Sequence, residues 1–379
     1  MSPAHRYAAA TLLLLSIAFA GCVYPLWVPF RILTMGDNRT GQLGTGDFTD
    51  RLAEFVPVTV NDKIMRVLAG AGHSLALDSN GTVWSWGAND FLQLGRRTQT
   101  MSDPVPAPVL GLPKIRDIFT GEMHSFALDE SGQLWVWGSN EAGRAAPGVE
   151  PIAVEAPEGT LRGLEPMVLS FDQPVLEVAG GGEHTVVLLK DGSVWAWGSN
   201  EFGQLGIPGI DYSDTARKVE IEGVVRIATA SDTVLAILAD GTVMGWGSND
   251  YGQVGDGTRN DRYHPVKVNG LEKVVSVSCG YLHSMARTKD GRVFVWGANE
   301  NWQVGEGLGE FVAEPRHIPF ERDIRQIAAG GYCSLVADDN GTVWAWGHMF
   351  TGKPTQVGKK GAGWAGIAGG WRHVLLLGR

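Results

Sequence analysis

Five histidines, His73, His124, His184, His283 and His373, stand at one register of a chain that repeats itself about every fifty residues. Histidine is the side chain best suited to ligating a metal or moving a proton near neutral pH. A metal site needs several ligand atoms within about 2 Å of one ion, and equivalent positions on separate repeat units lie too far apart for that. The five are read as hydrogen-bonded structural groups, and no metal is assigned. Asp256 and Asp261, in GDGTRNDRYHP, lack the acidic count and spacing of a calcium loop. Turn chemistry accounts for them. Cys279 and Cys333 occupy non-equivalent positions in adjacent repeats, a poor disulfide framework, and read as buried small side chains.

Other chemistries leave no trace. The chain carries no nucleophile elbow, P-loop, zinc-ligand spacing or paired-carboxylate motif. Its Gly-rich runs end strands rather than open helices, so they do not cradle phosphate. The expectation is a binding protein without a cofactor, not an enzyme. Candidate contact residues are those that vary between repeats at one loop. This set contains Glu122, Glu183, Asp232, Tyr281, Tyr332, Trp371 and Arg372. Aromatic side chains with a few acids among them suit a protein-binding hot spot. A second loop set offers Phe91, Phe202, Tyr251 and Trp302.

The elements that position these loops follow from the repeat. Trp-Gly recurs at Trp86-Gly87, Trp137-Gly138, Trp197-Gly198, Trp246-Gly247, Trp296-Gly297 and Trp346-Gly347, with a degenerate copy at Met35-Gly36. The steps between these glycines are 51, 51, 60, 49, 50 and 50 residues. Such a period means one supersecondary unit, each copy burying its apolar face only against its neighbours. Each unit reads as four short strands. The second and third are joined by Asn80-Gly81, Ser131-Gly132, Asp191-Gly192, Asp240-Gly241, Asp290-Gly291 or Asn340-Gly341, which predict two-residue type I′ hairpins. Ten of the 14 tryptophans fall in the third strand, where alternation puts Trp84 and Trp86 on one face. They are read as packing between consecutive sheets. Strands alternate direction, so the loops after strands one and three share a face of the molecule.

The fold class predicted is all-β, a seven-bladed β-propeller over residues 31–379. The C-terminal stretch AGIAGGWRHVLLL supplies the first and second strands of a blade. The N-terminal stretch beginning RILTMGDNRTGQLGTG supplies a third and a fourth. Pairing the two completes the seventh blade and removes the open edges. The 60-residue step marks an insertion of about ten residues within 140–166, rich in Pro, Gly and Glu. It suits either a binding element or a tolerated surface loop.

Residues 1–22 read separately. Arg6 precedes the uncharged stretch Ala8–Ala20, which has the length of a signal-peptide core and is short for a membrane span. It ends in Phe19-Ala20-Gly21-Cys22, which resembles the lipobox of bacterial lipoproteins, with Phe19 where Leu is usual. The resemblance implies cleavage before Cys22, lipidation of that thiol and a place in the cell envelope; an ordinary secretory signal is the alternative. Residues 23–30 read as a short linker. The formal charge of −10 gives no ground for a nucleic-acid surface.

The units AGAGHSLALDSNGTVWSWGAND, GGGEHTVVLLKDGSVWAWGSNEFGQLG and CGYLHSMARTKDGRVFVWGANE resemble regulator-of-chromosome-condensation repeats. The resemblance covers nearly all of the chain after residue 30. It implies a seven-bladed propeller and a role in protein recognition through loops on one face. The activities it offers are guanine-nucleotide exchange, which the export signal disfavours, chromatin binding, and inhibition of β-lactamases by secreted members. The expected protein is a monomeric, exported propeller, anchored in the membrane by its lipid, that binds a protein or a cell-envelope polymer.

Overall fold

The computed structural model describes residues 31–60, 62–358 and 363–378. The signal-peptide, Cys22 and linker assignments lie outside them. Seven antiparallel sheets stand in a ring, and the first strand of each lines a central channel. Blade one shows the plan: Ile64–Ala69 at the axis, then His73–Asp78, Val83–Ala88 and, outermost, Ser102–Pro108. Closure is as predicted. Trp364–Gly369 and His373–Gly378 are completed by Arg31–Gly36 and Arg51–Val58, with Ile32 opposite Leu377 and Met35 opposite Val374. The ring thus joins its ends by a strand ladder, and no blade is left with an unpaired face.

The alternation of the third strand divides the core between neighbours. Trp84 and Trp86 lie with Val58, Val67 and Leu375 between blades seven and one, while Val83 faces Ile118, Ala127 and Trp137 between blades one and two. The inner tryptophan of all six Trp-Gly pairs is wholly buried. Its indole also explains the Gly-Gln-Leu-Gly pattern. A Cβ on Gly44, Gly95, Gly206 or Gly255 would come within 3.0 Å of the Nε1 of the next blade's tryptophan. Only glycine lets that loop lie flat on the ring.

Two expectations need correction. The hairpins are not type I′, since positive φ is confined to the glycine. In blade one the Gly81 N–H donates to the Asp78 carbonyl, and Asp78 N–H donates to Thr82, so the loop has three residues with glycine last. Asp78 Oδ1 accepts from the N–H groups of Asn80 and Thr82, and this side-chain bracket replaces the second left-handed residue. Blade two, moreover, has five strands rather than four. The insertion forms Ile152–Ala156 paired with the first half of the eleven-residue strand Gly159–Leu169, whose second half is the blade's outer strand. It leans on blade one, where the Arg162 N–H donates to Asp90 and Arg97 pairs with Glu165.

The five histidines are pins between blades. Nε2 of His373, His73, His124 and His283 meets the hydroxyl of Ser74, Ser125, Thr185 and Ser334 in the following blade, at 2.9–3.2 Å. Each of those hydroxyls also donates to the backbone carbonyl of Gln42, Gln93, Arg144 or Gln303. His184 reaches Thr229 on the inner strand of blade four instead. Burial pushes all five imidazoles well down, His73, His184 and His283 to about 3 and His373 to about 4. They are neutral at pH 7. Cys279 and Cys333 are buried free thiols, also as expected.

Candidate functional site at the channel mouth

The first loop of each blade ends where the histidine begins, and a repeated contact holds it there. In all seven blades the residue after the third-strand glycine donates its N–H to the carbonyl of the last first-loop residue: Asp37 to Arg372, Ala88 to Gly72, Ser139 to Met123, Ser199 to Glu183, Ser248 to Asp232, Ala298 to Leu282 and His348 to Tyr332. The glycine has φ between +98° and +129° and lies under that same carbonyl. Gly247→Ala is therefore expected to cost at least about 1–3 kcal/mol in stability. Its Cβ would fall 2.1 Å from the Asp232 carbonyl oxygen. A guanidinium melt indistinguishable from the parent would refute this.

Neighbouring loops are also tied to one another. N–H groups donate across blade boundaries from Ala71 to Glu122, Glu122 to Gly181, Gly182 to Ser231, Tyr281 to Gly331 and Gly331 to Gly370, at 2.8–3.2 Å. The mouth is a fixed rim rather than seven free loops. Around it, blades two, three and four present Glu122, Glu183 and Asp232, and blades five, six and seven present Tyr281, Tyr332 and Trp371. Blade one contributes only Ala71. Tyr281 touches both other aromatics, with ring centroids 5.6 Å from Tyr332 and 5.4 Å from Trp371 in an edge-to-face arrangement. Below them lies a cavity of about 230 Å³, walled by Glu122, Tyr281, Trp371 and the glycines that end the inner strands.

The acids are not equivalent. Glu122 is mostly buried and its carboxyl is pushed up to about 7, first by burial and then by the charge of Asp232. Arg144, the Trp371 side chain and the Ser231 backbone N–H oppose that rise, and Oε1 takes no hydrogen bond. Asp232 is raised too, again mainly by burial; it accepts from Gln204 Nε2 at 2.9 Å and from Ser231 Oγ at 3.2 Å. Glu183 is exposed and lies 3.3 Å from Arg144 Nη2.

Of the seven residues singled out from the sequence, the structure gathers Glu122, Asp232, Tyr281, Tyr332 and Trp371 at the mouth, with Glu183 on its outer edge. Arg372 lines a neighbouring groove of about 660 Å³ with Asp37, Arg39, Phe91 and Met123, which Glu122, Tyr332 and Trp371 also border. That groove joins both loop sets, so the two do share a face. Phe91 lines it, whereas Phe202 and Trp302 project to solvent elsewhere. Arg144 was missed. It stands where Gln42, Gln93, Gln204, Gln253 and Gln303 stand in other blades, and the break of Gly-Gln-Leu-Gly into Gly143-Arg144-Ala145-Ala146 was the signal for it. Also unforeseen is the opposite mouth, a cavity of about 460 Å³ where Arg66 pairs with Asp117 and Arg226 with Glu177.

A closed ring of seven blades, with a uniform core and one face of varied rigid loops, makes a β-propeller of a kind that fits protein binding. A family model described as RCC1-like domain matches residues 31–353, and the chain belongs to that family. The human regulator of chromosome condensation is 32% identical over 180 residues, covering 47% of this chain and 41% of that protein. The chain thus matches less than half the length of that relative. Human WBSCR16 shares the fold with a TM-score of 0.80 at 24% identity, over 92% of this chain and 100% of that one. Prp20p of Saccharomyces cerevisiae gives 0.78 at 22%, over 92% and 91%.

Proposed function

We propose that this RCC1-like propeller is an exported, lipid-anchored protein that recognises a partner protein with the first-loop face. The observation that carries the reading is the division of one rigid mouth into an acidic arc and an aromatic arc. Aromatic anchors beside a cavity, held by backbone hydrogen bonds, lose little entropy on binding and match what hot spots require. The same fold in Prp20p serves binding to Gsp1p and histones; at 22% identity that likeness carries the fold and not the partner. Export and the anchor rest on the pattern of Arg6, Ala8–Ala20 and Cys22.

The test uses the full chain to capture proteins from a cell-envelope extract of its source. A specific partner should be held by the parent and lost from Trp371→Ala, with both proteins melting alike. Capture that survives Trp371→Ala, Tyr281→Ala and Tyr332→Ala combined would place recognition on another surface.

A further inference from the structure

The mouth brings two carboxylates and three aromatic rings together above a small cavity walled by Glu122, Tyr281 and Trp371, and its acids outnumber the cations bonded to them. Arg144 bonds to Glu183 and to the Glu141 carbonyl, which accepts from its Nε at 2.9 Å, and acts on Glu122 through its charge without a hydrogen bond. Arg372 lies in the adjoining groove that Glu122, Tyr332 and Trp371 also border, and its charge acts on Asp37. Asp232 has only neutral donors, Gln204 and Ser231, and Glu122 Oε1 is buried with no hydrogen bond. A buried acceptor without a donor is destabilising, so the rim is arranged for a group that arrives from outside. That group must be cationic to suit the acids, slender to enter about 230 Å³, and apolar along its stem to lie on Tyr281, Tyr332 and Trp371.

We propose that the channel mouth is a receptor for one primary ammonium group, a lysine side chain presented by the partner protein. The inference rests on the reading of this face as a protein-recognition surface. The methylenes would lie along the aromatic arc, where the ring faces also attract the cation. The ammonium would donate to Glu122 Oε1 and to Asp232. Lysine fits better than arginine because its charge is compact and its three donors turn freely, whereas a planar guanidinium needs a flat bidentate partner that the rim lacks. Burial first, then the charge of Asp232 on Glu122 and of Glu183 on Asp232, holds both carboxyls above their usual range, and an incoming cation relieves that repulsion.

The probe is a capped Gly-Gly-Lys-Gly-Gly peptide titrated into the full chain, followed by calorimetry and tryptophan fluorescence. Norleucine and ε-acetyl-lysine peptides serve as controls. The lysine peptide should bind with at least about tenfold advantage over either control. Glu122→Gln combined with Asp232→Asn should remove that advantage while the melting temperature does not fall. Absence of binding at millimolar peptide, equal binding of the norleucine peptide, or an advantage that persists in the double variant would overturn the proposal. If partner capture is lost on Trp371→Ala but unaffected by the double variant, the lysine receptor fails and the recognition face stands. If capture also survives Trp371→Ala, Tyr281→Ala and Tyr332→Ala combined, both fail.

Discussion

Acidification from pH 7 to pH 5 should unfold this propeller or lower its melting temperature steeply. Five imidazoles are buried with folded values far below the ordinary 6.5. The unfolded chain binds those protons below pH 6.5 and the folded chain does not. Stability is therefore fully present above about pH 6.5, and is lost as pH falls toward the folded values near 3–4. At about 1.4 kcal/mol per proton per pH unit, each histidine costs about 2 kcal/mol by pH 5, on the order of 10 kcal/mol for five. Glu122 works in the opposite sense. Its folded value is raised to about 7, so protonation relieves the native state and returns about 2 kcal/mol over the same range. Glu177 and Asp232, also raised, add to that offset. The histidines still outnumber them, and the remaining loss rivals the whole stability of an ordinary domain. Thermal melts between pH 8 and pH 5 check the point, with His73→Gln reducing the slope by about one proton. A melting temperature flat across that range would mean the imidazoles charge within the folded ring.

Trp296→Ala should cost about 3–5 kcal/mol, while Trp302→Ala costs within about 0.5 kcal/mol. Trp296 is fully buried among Leu235, Ile237, Val268 and Phe294, and its Nε1 donates to the Gln253 carbonyl at 2.8 Å. Truncation would open a cavity between blades four and five and leave that carbonyl with only the Ser284 hydroxyl. Trp302, five residues after Gly297, is 51% exposed and fills no such seam. Paired denaturant titrations decide it. Similar losses for both would show that the third-strand tryptophans are not what binds blade to blade.

The histidine reading also shows how far local pattern reaches. Recurrence at one register argued for a structural role, but the partner was invisible, because Ser125 lies a full repeat away from His73. The hairpins erred for the opposite reason. Asn80-Gly81 is a good type I′ pair by propensity, yet Asp78 brackets the turn from two residues before Asn80 and needs only glycine left-handed. The insertion was located from spacing alone, while its fifth strand depends on Gly163 and Arg162 docking against Phe91 and Asp90 of another blade.

Blade number, blade order and the closing of the ring by the two ends were determined by the sequence itself. Each follows from a period, and a period is carried by residues close along the chain: a glycine turn, an alternating Trp strand, a Trp-Gly stop. The variable residues of the first loop were also visible, because repeats supply their own comparison. Only the tertiary structure decided that Glu122 faces Tyr281 and Trp371 across one cavity, that Arg144 bonds to Glu183, and that Arg372 lines the adjoining groove with Asp37. Those relations join loops that lie far apart along the chain. No local propensity encodes them, since they arise from closing the ring and from the backbone bonds that tie each loop to the next.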